Sequence, residues 1–195
     1  HMFGAMYAPN DRVTLMLMAN YLRKEMEHVT FAGGMGDQEL GRFETRSEGF
    51  GDTNVSALVS LWQNPTQSLH GHIGVSLPTG SITTRDEILT PMGMRPSPRL
   101  PYPMHLGSGS YSAIVGLTHN WSGASVSGGS QWRSLLRLDE NDENYTLGDE
   151  HRLTTWAAWR VAPQVSLSAR LEGFQRGNID GVDPAIMAPV QTADP

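Results

Sequence analysis

Apolar and polar residues alternate at every second position along six separate segments of this 195-residue chain. Residues two apart on a β-strand point to the same side of the sheet, so each segment has one apolar and one polar side. No segment has the three-to-four-residue spacing of an amphipathic helix. The pattern predicts an all-β protein built of half-buried antiparallel strands. The six segments are 13–21, 54–61, 68–77, 110–118, 152–161 and 165–172.

The connections between these segments are short at one end of the predicted sheet and long at the other. Tight turns, favoured by Pro and Asn, lie near residues 9, 65, 121 and 163. Longer connections, rich in glycine, proline and charge, are 32–40, 78–105, 138–147 and the stretch after 177. This asymmetry is typical of bacterial outer-membrane barrels, whereas a soluble β-sandwich shares the alternation but seldom separates its loops in this way.

We therefore predict an antiparallel up-and-down outer-membrane β-barrel with about eight strands in this chain. Its strands and loops occupy residues 1–177. Residues 178–195 are predicted to be a proline-rich loop or tail that leads to further strands. The localisation that follows is the bacterial outer membrane, with lipid around the barrel.

Composition excludes several classes of function. The chain has 14 Lys+Arg against 20 Asp+Glu, a net charge of −6, which argues against nucleic acid as a partner. No run of 18 apolar residues is present, so the sequence contains no transmembrane helix. Cysteine is absent, which excludes disulfides, thiolate metal sites and a cysteine nucleophile.

Distinctive motifs lie in residues 6–16, 74–82, 100–111 and 178–185, and include Leu-Pro-Thr-Gly-Ser from Leu77 and Asp-Gly-Val-Asp-Pro from Asp180. These stretches resemble a family of proteobacterial outer-membrane transporters, those of the meta-pathway of phenol degradation. The resemblance covers nearly the whole chain and implies an outer-membrane barrel that moves small-molecule solutes. Family members are longer at both ends, which implies that this chain is a fragment. The resemblance supplies no catalytic residue, and we expect no enzymatic activity.

The alternation predicts which side chains face the interior of such a barrel. The interior polar set is Asn20, Ser56, His70, His72, Arg152, Arg160 and Arg170. The set predicted to face lipid is Val13, Leu15, Leu17, Val75, Leu77, Val165 and Leu167. A slip of one residue would place the polar set in hydrocarbon, at a cost of several kcal/mol. The sequence thus predicts a conduit or transporter for small molecules. A second interpretation is a non-transporting envelope protein whose long outer loops, above all 78–105, bind a partner or ligand.

Methionine and histidine form pairs with strand spacing. The chain has ten methionines, and Met16 and Met18 lie two apart, as do His70 and His72. Each pair therefore lies on one side of its strand, and thioether and imidazole ligands suit copper. These four residues are a hypothetical copper site. The alternative is that methionine fills narrow space and the histidines are ordinary polar lining.

Two further groups of residues have weaker motifs. The acidic stretches 139–143 and 180–183 offer oxygen ligands for calcium, with solvated loops as the alternative interpretation. His105 precedes a Gly-Ser-Gly-Ser stretch, but the spacing does not match a nucleophile elbow. Small residues that enter a strand are the simpler explanation.

Overall fold

The computed structural model describes residues 1–34 and 36–186 and shows an all-β protein, as the alternation predicts. The eleven strands of this described part are β1 (Met2–Asn10), β2 (Val13–Phe31), β3 (Glu39–Phe50), β4 (Thr53–Gln63), β5 (Gln67–Leu77), β6 (Ser112–Ser122), β7 (Val126–Arg137), β8 (Tyr145–Thr146), β9 (Glu150–Ala162), β10 (Val165–Arg176) and β11 (Asp180–Gly181). Two 3₁₀ turns are Ala32–Gly34 and Tyr102–Met104. Within these residues no helix is long and apolar enough to cross a membrane.

Nine strands form one antiparallel sheet in which the strands follow one another in chain order, apart from β3 and the two-residue strand β8. The order is β1-β2-β4-β5-β6-β7-β9-β10, which confirms the antiparallel all-β prediction. β3 and β4 both pair with β2, β3 with its second part and β4 with its first. They therefore act as one long strand that is interrupted at Gly51 and Asp52. The difference from about eight predicted strands comes from this interruption and from the two-residue strands β8 and β11.

The two ends of the sheet are not joined. In the part of the chain that the structure describes, no hydrogen-bonded pairing links β1 to β10, so the sheet is not closed. Side chains of β1 and β10 are exposed along the full length of both strands. The antiparallel sheet is thus established, whereas barrel closure stays a prediction.

Side-chain hydrogen bonds explain two of the short turns. The Asn10 Oδ1 atom accepts hydrogen bonds from the backbone N–H groups of Arg12, at 2.9 Å, and Val13, at 3.0 Å. The Asn64 Oδ1 atom accepts from the N–H of Gln67 at 2.7 Å in the same way. Asparagine favours such turns because its side chain mimics a backbone acceptor. The turn predicted near residue 121 lies slightly later, since β6 continues to Ser122.

Most of the buried hydrophobic side chains lie in the long connections. Ile82, Tyr102, Tyr145 and Ile186 form a cluster, and Leu147 and Ile179 pack against it. The strand pair β11–β8 brings the segment after β10 onto the connection between β7 and β9. We call residues 78–111, 138–149 and 177–186 together the loop cap. The predicted tail 178–195 is thus part of this cap as far as Ile186, and its remainder lies outside the described residues.

Candidate functional site

One side of the sheet, the apolar face, carries large hydrophobic side chains that are exposed. Ile73 at the centre of β5 is 61% exposed, and its cross-strand neighbours are Ala57 and Val115. Strands β4, β5 and β6 are each 11 residues long along this face. Exposed members of the apolar face are Phe3, Tyr7, Leu15, Leu17, Val55, Ile73, Val75, Leu117, Leu153, Val165 and Leu167.

The apolar face ends at an aromatic pair, beyond which the same side of the sheet is charged. Tyr21 and Phe50 are cross-strand partners, with ring centroids 5.4 Å apart in an edge-on arrangement. The outward side chains that follow along β2 and β3 are Arg23, Glu25, Glu27, Arg42, Glu44, Arg46 and Glu48. Their ion pairs are solvent-exposed and so contribute little to stability. The aromatic pair therefore marks a sharp boundary between an apolar and a charged surface.

The opposite side, the polar face, contains all seven residues predicted to face an interior. Pairing places Ser56 beside Met16, and Arg152 beside Arg133. Asn20 and Arg152 line one cavity together, whereas His70, Arg160 and Arg170 lie nearer the short turns. The seven residues of the polar face are Asn20, Ser56, His70, His72, Arg152, Arg160 and Arg170.

The four residues of the copper hypothesis lie on the polar face, with strand β4 between the two pairs. Met16 shares a cross-strand row with Ser56, whereas His72 shares its row with Leu58. Two strand steps separate the backbones by about 10 Å. His72 also faces Arg133 across Gly116, and a nearby guanidinium opposes a second cation. Copper binding by these residues stays a prediction.

One carboxylate from each acidic stretch forms an ion pair within the loop cap. Asp183 is fully buried, and its Oδ2 atom lies 2.7 Å from the Arg99 Nη1 atom. Glu143 is the second carboxylate that pairs with Arg99. Together they raise the Arg99 pKa above its ordinary value, with Glu143 the larger cause. The interpretation of Asp183 as part of a solvated loop is therefore wrong. Among residues 1–34 and 36–186, no three His, Asp or Glu side chains are arranged to hold a metal ion.

A cavity of about 710 Å³ lies between the polar face and the loop cap. The sheet supplies one wall, and cap residues Tyr102, His105 and Leu147 supply the other. Two carboxylates, Asp52 and Glu150, line it. The basic side chains that line it are Lys24, Arg133, Arg137, Arg152 and Arg176. The lining of the cavity is therefore predominantly basic.

Both carboxylates of the cavity are already bonded. The Glu150 Oε1 atom lies 3.1 Å from Arg176 Nη2 and 3.4 Å from Arg137 Nη2. Asp52 accepts hydrogen bonds from the N–H of Gly80, at 3.1 Å, and from the N–H of Ser108, at 2.8 Å. Neither carboxylate forms an ion pair with Arg133.

Asp52 fixes the loop cap to the sheet at the break between β3 and β4. Its carboxylate bonds two cap segments, at Gly80 and at Ser108, whose hydroxyl also donates to it at 2.7 Å. These segments pass so closely that a Cβ on Gly80 would lie 2.6 Å from the Gly107 Cα. Lys24 adds a second link through its ammonium group, which donates to the Pro103 carbonyl at 2.9 Å. Glycine at both crossing positions is thus a steric requirement.

His105 lies buried inside the cap with both ring nitrogens bonded. Nε2 is 3.0 Å from the Leu100 carbonyl, which can only accept, so Nε2 carries the proton. Nδ1 then accepts from the Tyr145 hydroxyl at 2.9 Å. Burial lowers the His105 pKa and raises the pKa of Tyr145, so both groups stay neutral near pH 7. His105 therefore does not bond to Ser108, whose hydroxyl bonds Asp52 and the Ser110 carbonyl.

We expect the loop cap to lose stability as the pH falls below about 6.5. The folded His105 pKa lies below its ordinary value of 6.5. As the pH falls, His105 is therefore protonated more readily in the unfolded cap than in the folded cap, and acid shifts the equilibrium toward the unfolded cap. The measurement is hydrogen exchange of the Leu106 amide, which bonds the Ser81 carbonyl, corrected for the intrinsic pH dependence. In His105→Gln the exchange rate should rise less as the pH falls. In His151→Gln, a substitution outside the cap, the rise should be the same as in the unchanged chain. An unchanged rise in His105→Gln would contradict this assignment.

Some of these residues follow from the alternation and others do not. Arg176 continues the polar positions that include Arg170 to the end of β10, so extending the pattern to the strand end would have found it. Arg137 lies on β7, outside the six alternating segments. Asp52 was missed because its partners come from distant connections. No protein-family model matches the chain, and no curated protein is similar to it.

Proposed function

We propose that this chain belongs to an outer-membrane β-barrel that conducts small molecules along its polar face. The observation that carries the proposal is the division of one continuous sheet into an exposed apolar face and a polar face with a cavity. A surface of this kind is stable when lipid covers its apolar side.

The dimensions of the apolar face support a membrane as its environment. A tilted transmembrane strand needs about 9–11 residues, and strands β4 to β6 have 11 each. The aromatic pair Tyr21–Phe50 lies where the apolar surface meets the charged one. Aromatic side chains concentrate at this level in membrane barrels because their rings suit the interface.

The unpaired edges of the sheet also support a closed barrel as the form that the sheet takes in a membrane. Unpaired backbone groups cannot remain in hydrocarbon, so the edges of β1 and β10 must find partners in the membrane. We propose that each of these edges pairs with a further strand and that such pairings close the barrel. The polar face then lines the interior, and the loop cap covers it at the end with the long connections.

The second candidate function is a non-conducting envelope protein whose loops bind a partner. The observation that favours it is the hydrophobic cluster inside the loop cap, which makes the long connections a folded unit. Conductance of the chain in planar bilayers separates the two functions. Stepwise current supports the conduit, and an insulating bilayer that contains the inserted protein supports the alternative.

A charge on the apolar face should prevent stable membrane insertion. Leu17 is exposed in the middle of this face, and arginine at a bilayer midplane costs about 2–4 kcal/mol in a barrel. We expect Leu17→Arg to reduce flotation with lipid vesicles in a density gradient, where the unchanged chain floats.

The matched control is Glu27→Arg on the same side of the same strand. Glu27 lies beyond the aromatic boundary and opposite Glu44, so a positive charge there meets no hydrocarbon and relieves a like-charge pair. Glu27→Arg should float like the unchanged chain. Equal flotation of both variants, with their β-sheet circular dichroism intact, would refute lipid as the cover of this face.

A further inference from the structure

We propose that the cavity between the polar face and the loop cap binds a small organic carboxylate. Arg133 is the anchor of the carboxylate group, and the hydrophobic lining of the cavity holds an apolar body. The inference deepens the proposed function, because it names the class of solute that a conduit of this kind would admit. Binding itself is measured without a membrane and so does not depend on conduction.

Arg133 is the basic side chain of the cavity whose charge is least compensated: Glu150 acts on it through space but forms its ion pairs with Arg137 and Arg176. Arg133 itself forms no ion pair or hydrogen bond in the described part of the chain, and its Nε atom is buried without a partner. Its direct cross-strand neighbour is Arg152, and like charges placed opposite each other destabilise a sheet. An anion between the two strands would remove both costs.

The neighbours of Arg133 leave this position open to a ligand. On its other side the cross-strand partner is Gly116, which has no side chain, and beyond it lies His72. Arg152 is engaged, since its Nη1 atom donates to Glu172 at 2.9 Å. Glu150 is shared between Arg137 and Arg176. One guanidinium without a direct ion-pair partner therefore matches a ligand of single negative charge, which a carboxylate supplies in bidentate geometry.

The remaining lining supports an apolar body on that carboxylate. Leu22, Leu135 and Leu147 line the same cavity, together with the ring of Phe174. The Arg152 guanidinium lies 5.1 Å from the centre of this ring, which holds the ring beside the basic cluster. A volume of about 710 Å³ lies within the usual range of small-molecule sites. An inorganic anion would leave these apolar side chains without a partner.

Calorimetric titration of the purified chain in detergent tests the inference with three probes. Cyclohexanecarboxylate should bind saturably, and the neutral cyclohexanecarboxamide, of the same shape, should bind at least about 10-fold more weakly. Inorganic phosphate should also bind more weakly, because it has no apolar body. Phosphate or amide binding as tight as that of the carboxylate would overturn the ligand class.

Two variants assign the site. Arg133→Met should weaken carboxylate binding at least about 10-fold, the usual effect of losing a charge-assisted hydrogen bond. Arg160→Met, on the same face but outside the cavity, should leave binding unchanged. Without ligand, Arg133→Met should also melt at the same or a higher temperature, since it removes a charge without a direct ion-pair partner. Unfolding of Arg133→Met would show a purely structural role and refute the proposal.

Comparison with conductance separates this inference from the proposed function. If the carboxylate binds in a manner that depends on Arg133, but the inserted chain passes no current, the site is upheld and the conduit is refuted. Conductance by a chain whose carboxylate binding is absent, or survives Arg133→Met, upholds the conduit and refutes the site.

Discussion

Asp183→Ala should destabilise the loop cap by about 3 kcal/mol, the lower end of the usual effect of removing one partner of a buried ion pair, because Glu143 stays beside Arg99. Asp183 is fully buried and lies 2.7 Å from the Arg99 guanidinium. Its other carboxylate oxygen accepts from the N–H of Ala185 at 2.7 Å. The substitution therefore leaves Arg99, whose side chain is only 10% exposed, with Glu143 as its remaining counter-ion.

Hydrogen exchange measures this loss directly. The Val182 amide donates to the Asn144 carbonyl at 3.1 Å, so it reports on contact between the segment after β10 and the rest of the cap. Its exchange should accelerate by about 100-fold or more in Asp183→Ala. The control is Asp180→Ala in the same segment, where the residue is exposed. Equal acceleration in both variants would contradict a specific role for the buried pair.

Gly107→Ala should destabilise the attachment of the cap to the sheet by about 3 kcal/mol, at the upper end for overpacking. A Cβ at this position would collide with Asp52 Oδ1 and lie 2.6 Å from the Gly80 carbonyl oxygen. Neither neighbour can retreat freely, because Asp52 holds the N–H groups of Gly80 and Ser108. The clash therefore breaks the anchor instead of being absorbed.

Limited trypsin digestion reports on this anchor. Arg85 and Arg99 lie in the cap segment between β5 and β6, and release of that segment should speed cleavage of the Arg85–Asp86 and Arg99–Leu100 bonds. The matched control is Gly173→Ala on β10, where an added Cβ meets nothing within 4 Å. Gly173→Ala should be cleaved like the unchanged chain. If Gly107→Ala were cleaved as slowly as the unchanged chain, the two backbones would have made room for the added Cβ without loss of the anchor, which would contradict the prediction.

The alternation predicted β2, β4, β5, β6, β9 and β10, because contact of one side of a strand with an apolar environment imposes a period of two. The alternation did not predict β3, and the reason is physical. The outward side of β3 is charged through Arg42, Glu44 and Arg46, while its inward side carries small polar groups such as Thr45 and Ser47. An alternation of charged with small polar residues leaves no hydrophobic period to detect.

The cavity was predictable only in part. Asn20 and Arg152 followed from the polar positions of the strands, and both line it. The other wall is built from connections that have no periodicity, so the burial of Tyr102 and Tyr145 had no local signal. Asp52 belongs to the same class, since its role depends on which distant segments the sheet brings together.

The order of synthesis has a consequence for when the cap can form. The hydrophobic cluster takes Ile82 from the connection after β5, Tyr145 from the connection after β7, and Ile186 from the segment after β10. Ile186, the last residue of the cluster in chain order, is therefore synthesised only after all strands of the sheet. Consolidation of the cap is a late event in biogenesis, and until it occurs the basic cavity is open to the surrounding water.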